Sequence, residues 1–158
     1  MKPKNLKQIS ILWGNKRCSI SLKNIAEQKY TKEIDQIVTS KQITQIILPY
    51  QKHSNTGFVV PNNITKISHS LFQLQGDFLI TNQKNCGIGI VHADCLPVVV
   101  YDNKNQVTGI AHIGWRGAYK NIVKNMLKIM EKAFHTKIAN TYIFLGPCAK
   151  SCCYEVKK

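Results

Sequence analysis

Acidic residues are scarce in this chain of 158 residues: 8 Asp and Glu stand against 22 Lys and Arg, for a formal net charge of +14. Arginine is scarcer still, because all but Arg17 and Arg116 of those 22 are lysines. Surfaces that read nucleic-acid bases favour Arg for its bidentate fork, and these lysines are scattered along the chain. The excess therefore reads as composition bias, and dedicated nucleic-acid binding is disfavoured, while small acidic substrates such as phosphate stay compatible. Long apolar runs are missing as well. Nothing approaches the ~20 consecutive apolar residues of a spanning helix. The run Ile9 to Trp13 is broken by Ser10 and is too short for a signal-peptide core. No membrane partner and a cytoplasmic location are expected. The six cysteines (18, 86, 95, 148, 152, 153) form no CxxC pair and are unevenly spaced. They read as reduced thiols, and any metal site has to recruit histidine. Linker-like and repeated stretches are lacking too. With 44% apolar and 19% charged residues, one globular domain over 1–158 is expected.

The apolar residues that are present carry two periods. Thr31 to Ser40 places Ile34, Ile37 and Val38 on one side of a short helix. Ile43 to Leu48 ends at Pro49, and Phe58 to Val60 ends at Pro61. These are strands, and His53 sits in the loop that joins them. Val- and Ile-rich runs at Phe78 to Thr81, Gly87 to Val91, Leu96 to Tyr101, Val107 to Ile113 and Thr141 to Leu145 continue the sheet. The clearest helix spans Ala118 to Phe134, with Ile122, Val123, Met126, Leu127, Ile129 and Met130 on its packing face. Lys120, Lys124, Lys128 and Lys132 recur on the other face, which reads as solvated. The fold class is α+β, a mixed α/β arrangement of one mixed sheet packed against helices.

The chemistry gathers between His92 and Gly117. If the strands at 96–101 and 107–113 pair as an antiparallel hairpin, Cys95 and His112 fall at the same end of the sheet. A Cys and a His brought together suit zinc, and His53 would supply a third ligand and leave one position open. The same pair also suits a Cys nucleophile activated by His, and spacing alone leaves both open. Asp94 precedes an apolar strand, an expensive place for a carboxylate unless it finds a partner. The turn Gly114-Trp115-Arg116-Gly117 leads into the strong helix, so its amides and Arg116 are suited to hold an anion.

The blocks ADCLPVVVYD, AHIGWRG and GPCAKSCCYEV, in that order, closely resemble the signature blocks of the polyphenol oxidase/laccase-domain family, whose YfiH-like members are also described as purine nucleoside phosphorylases. PYQKH resembles the family's QVH block, and GDFLITN, with Asp77, resembles another. The resemblance implies that His53, Cys95 and His112 bind zinc. It implies phosphorolysis of purine nucleosides (adenosine, inosine, guanosine, methylthioadenosine) with adenosine deamination as a second activity. Arg116, with Gly114 and Gly117, would then hold phosphate, and Asp94 would be the general base by position. A copper-dependent laccase-like oxidase is the older reading of the family. It needs on the order of ten histidines, mostly in His-x-His pairs, against the five here and no such pair. Copper could still replace zinc in a His/Cys/His site. The family's N-terminal Arg and GGxS-like block is not recognisable in the first 45 residues, and the chain stops just after CCYEV, where family members continue. The C-terminal part of the family domain is thus expected to be missing, which adds an inactive relative to the alternatives, beside the Cys-His hydrolase.

Overall fold

Residues 9–14, 39, 43–61 and 75–156 are described by the computed structural model. The helix expected over Thr31 to Ser40 lies outside them, apart from Thr39. The strands are β1 (Gln45–Ile47), β2 (Gly57–Val59), β3 (Phe78–Thr81), β4 (Cys86–Ile88), β5 (Leu96–Asp102), β6 (Val107–Ile113) and β7 (Thr141–Leu145). The helices are α1 (Trp115–Tyr119) and α2 (Ile122–Phe134). No helix among the described residues is long and apolar enough to cross a membrane.

Five strands form a mixed sheet in the order β2-β3-β6-β5-β7, parallel at β2–β3 and antiparallel elsewhere. The mixed α/β class is as expected, with one difference: β1 and β4 pair parallel as a separate two-stranded ladder. This ladder covers the second face of the sheet. Side chains alternate along a strand, so Phe78 and Ile80 of β3 meet α2 through Ile122, Met126 and Met130. Leu79, between them, points the other way and packs with Ile47 and Val60. All three β3 side chains are buried, each worth roughly 1.5–3 kcal/mol. Gly109 of β6 lets α2 approach, since a Cβ there would stand 2.9 Å from the Met126 sulfur.

The helix expected over Ala118 to Phe134 begins earlier and is broken. Trp115–Tyr119 already turns as α1, and Asn121 adopts a left-handed conformation (φ 59°) before α2 starts. Asn tolerates that region better than most residues. The break is tied to the His53 loop: Asn55 Nδ2 donates to the Lys120 carbonyl (3.1 Å), and Asn125 Nδ2 donates to the Asn55 carbonyl (3.2 Å). The four helix lysines are all exposed, as a solvated face requires.

Candidate metal centre

Register decides what meets what. In the β5–β6 hairpin Pro97 lies opposite His112 and Leu96 opposite Ile113, so Cys95, just ahead of β5, arrives beside His112 at the same sheet end. The third residue comes from the loop between β1 and β2. The His53 and His112 rings meet edge to face at 4.8 Å, and donor atoms of His53, Cys95 and His112 all lie within 4.8 Å of one another. His112 is buried, Cys95 half-buried and His53 exposed, so the cluster opens to solvent on one side. Two imidazoles and a thiol are a donor set that zinc and copper both accept. Their spacing needs only small side-chain rotations to bring all three onto one ion.

Asp77 builds this cluster, and sequence reading did not assign it a role. Its carboxylate is fully buried just ahead of β3. It accepts hydrogen bonds from the amides of Lys52 (3.2 Å), His53 (3.0 Å) and Ser54 (2.6 Å), and from the Ser54 hydroxyl (2.6 Å). It also accepts one from His112 Nδ1 at 3.0 Å. Burial alone would raise the Asp77 carboxyl, but His112, Ser54 and the backbone amides outweigh it and hold it at about 2. Two consequences follow for the cluster. The loop amides gathered on one carboxylate hold His53 in a left-handed conformation (φ 57°) that costs a non-glycine residue on the order of 1–3 kcal/mol. The bond to His112 Nδ1 fixes the tautomer that leaves Nε2 free for a metal, the usual carboxylate–histidine–metal arrangement. The available signal was an acidic residue directly before the apolar run Phe78-Leu79-Ile80.

Gly114 and Gly117 are both buried and both face this loop. A Cβ at Gly114 would stand 2.9 Å from His53 Cδ2 and 3.2 Å from the Cys95 sulfur, and one at Gly117 would stand 3.0 Å from the Ser54 carbonyl. Both glycines thus allow α1 to close over the two ligands. Arg116 is exposed, with its guanidinium 5.0 Å from the Trp115 ring centre. Asp94 is exposed as well, before β5 begins, so the desolvation cost expected for it does not arise. Its carbonyl accepts the Ala149 amide at 3.0 Å, which draws the C-terminal segment across the site.

The thiol of Cys95 is pushed up by burial, with Asp94 and Asp77 adding to this and a hydrogen bond from Tyr154 opposing it. Tyr154 is a further contact that sequence reading missed. His92, near the cluster, is held below its usual range by burial, and its Nδ1 is buried without a partner among the described residues.

The fold and this cluster define a mixed α/β protein with a His–Cys–His centre of metal-binding type at the end of a hairpin. Residues 23–158 match the family described as multi-copper polyphenol oxidoreductase laccase, and the chain belongs to that family. It is 37% identical over 114 residues to a purine nucleoside phosphorylase from Aquifex aeolicus, covering 72% of this chain and 50% of that protein. It is 39% identical over 82 residues to a purine nucleoside phosphorylase from Clostridium acetobutylicum, covering 52% of this chain and 35% of that one. Among solved structures it resembles the hypothetical protein YfiH of Bacillus licheniformis, with a TM-score of 0.69 at 27% identity over 78% of this chain and 47% of that one. YlmD from Geobacillus stearothermophilus shares the fold, with a TM-score of 0.67 over 78% of this chain and 46% of that one. The chain spans about half the length, or less, of these relatives.

Proposed function

We propose that this chain is a zinc-dependent purine nucleoside phosphorylase acting on adenosine, inosine, guanosine and methylthioadenosine, with adenosine deamination as a second activity. The observation that carries the proposal is the His53–Cys95–His112 cluster, oriented by Asp77, in a chain whose relatives bear that activity as their name. Zinc held there supplies Lewis acidity, polarising a substrate atom and acidifying a water. The remaining work falls to the chain itself. Arg116 stands exposed on α1 next to the cluster, where its guanidinium pairs with phosphate, and the α1 amides following Gly114 add donors. Gly114 and Gly117 act in this by leaving room for α1 to lie against the ligand loop. Asp94, exposed at the mouth of the cluster, is the group placed to accept or return a proton. Purine nucleosides and phosphate are metabolites of the cytoplasm, and the same reading puts the chain there.

A Cys95 nucleophile fares worse, because a nucleophilic thiol needs a lowered pKa and burial with two carboxylates pushes this one up. A bound cation reverses that balance by favouring the thiolate. Copper in the same three ligands is the route by which oxidase chemistry could arise, although five histidines in the whole chain, and one such cluster among the described residues, fall short of a multicopper centre. The test is metal content by mass spectrometry together with phosphate-dependent release of adenine or hypoxanthine from adenosine or inosine. One zinc per chain and phosphate-dependent release are expected. Zinc without release removes the phosphorylase and leaves an inactive relative, and a chain holding no metal removes the triad assignment.

A further inference from the structure

The His53 loop and the stretch that leads to Cys95 are joined by a side chain where the backbone cannot join them. β1 and β4 pair in parallel from Gln45 and Cys86 to Ile47 and Ile88, and the Gly89 amide extends this ladder by donating to the Ile47 carbonyl (2.9 Å). Pro49 then has no N–H to give, and Tyr50 turns away to bridge Gln75. Gln51 takes over the pairing. Its side-chain nitrogen donates to the Val91 carbonyl and its side-chain oxygen accepts the Val91 amide, both at 2.7 Å. A primary amide carries the same donor and acceptor as a peptide group, so it satisfies both backbone groups of Val91 as a neighbouring strand would. The contact spans 40 residues of chain, and both Gln51 and Val91 are half-buried.

We propose that Gln51 is a positioning residue of the candidate metal centre, whose amide sets the segment that carries His53 against the segment that carries Cys95. The inference rests on the metal reading above and adds to it a residue outside the three donors and Asp77. Three side chains meet one ion only if three relations between their segments are fixed. The β5–β6 pairing sets Cys95 against His112. Asp77 sets His53 against His112, through the His53 amide and the His112 ring. The remaining relation, His53 to Cys95, is the one Gln51 closes, from two residues before His53 to Val91, four residues before Cys95. Residues 89–95 form neither helix nor strand, so the clamp at Val91 stands in for regular pairing there. Two bonds to one residue fix direction as well as distance, because an amide that makes both cannot pivot about either.

The test compares Gln51→Met, which keeps the length of the side chain and removes both hydrogen bonds, with Gln83→Met. Gln83 is also half-buried and donates its side-chain amide to the Val60 and Pro61 carbonyls (3.2 and 2.9 Å), but it follows β3 at the end of the sheet away from the cluster. Zinc affinity is measured by competition with a chromogenic chelator, the thiolate-to-cobalt band is recorded after loading with cobalt(II), and unfolding midpoints are taken without metal. Gln51→Met is expected to weaken zinc roughly 10-fold and to shift the cobalt band. Gln83→Met should lower the midpoint by a similar amount and keep the wild-type affinity and band. Gln51→Glu, which keeps the acceptor for the Val91 amide but sets a second oxygen against the Val91 carbonyl, is measured alongside and should weaken zinc as well. Wild-type affinity and band in the Gln51 variants overturn the inference and leave the metal reading intact. An equal loss of zinc in Gln83→Met also overturns it, because the loss then follows stability rather than place. A wild-type chain that takes up neither cobalt nor zinc removes the metal reading, and this inference falls with it.

Discussion

At one end of the β5–β6 hairpin, Asp102 accepts the amides of Lys104 and Asn105 at 3.0 and 3.1 Å and the Asn105 side-chain amide at 2.7 Å. At the other end Asp77 accepts five hydrogen bonds, all from residues 23 to 35 positions away. Both carboxylates are fully buried. The first is satisfied by its own turn and holds a shape that the sequence Asp-Asn-Lys-Asn already favours. The second gathers a strained loop and a histidine from a different strand, and none of its partners is near it along the chain. A buried carboxylate with local partners closes a turn, whereas one with distant partners fixes the relation between segments, and the His53–Cys95–His112 cluster sits where that relation is fixed.

Asp77→Ala should show the largest effect. It leaves His112 Nδ1 and three loop amides without an acceptor, so a loss of about 3–5 kcal/mol in urea unfolding is expected, together with weaker zinc binding. A variant as stable as the wild type with full zinc affinity would erase the contrast between the two carboxylates.

Acid titration sharpens the same point. The folded-state value of Asp77, about 2, lies below its ordinary 3.8, so its contribution is fully present above about pH 5 and is lost as pH falls through 4 toward 2. The difference amounts to about 2 kcal/mol. In metal-free protein, Asp77→Asn should flatten the acid limb of stability against pH by that amount. Equal slopes in variant and wild type would contradict it.

Asp102→Ala is expected to cost less, ~1–2 kcal/mol, because the turn donors it releases are half-buried or exposed and water replaces the carboxylate. Its zinc affinity should equal that of the wild type, since the hairpin turn and the metal centre lie at opposite ends of β5. Zinc loss in this variant would show that the two ends are coupled. Smallest of all is Lys124→Gln on the solvated face of α2, with a stability change inside ~0.5 kcal/mol and unaltered metal content.

Local pattern made much of the fold legible. Phe78–Thr81, Val107–Ile113 and Thr141–Leu145 fall where alternation and turn residues put them, and β5 runs one residue longer than expected. Val and Ile declare a strand through their own backbone preferences, and those preferences travel with the residue. Cys95 and His112 were placed together by one further assumption, the hairpin, which the register bears out. The helix break at Asn121 was not legible, because it is tied to a pair of hydrogen bonds, one given by Asn55 to the Lys120 carbonyl and one received by Asn55 from Asn125, across 65 and 70 residues of chain. The separate β1–β4 ladder escaped for a similar reason, since parallel pairing of short strands leaves no mark in the turn between them.

Residue type and local order were enough to name His53, Cys95 and His112 as donors and to bring Cys95 and His112 to one end of a hairpin, while the family resemblance joined the three into one candidate metal site. They were enough because donor chemistry and strand preference are properties of single residues and their immediate neighbours. The left-handed His53, the tautomer of His112 and the approach of Ala149 to Asp94 beside Cys95 belong to the tertiary structure alone. Each depends on a hydrogen bond between segments far apart in the chain, and such a bond has an address only once the sheet and its loops have closed around it.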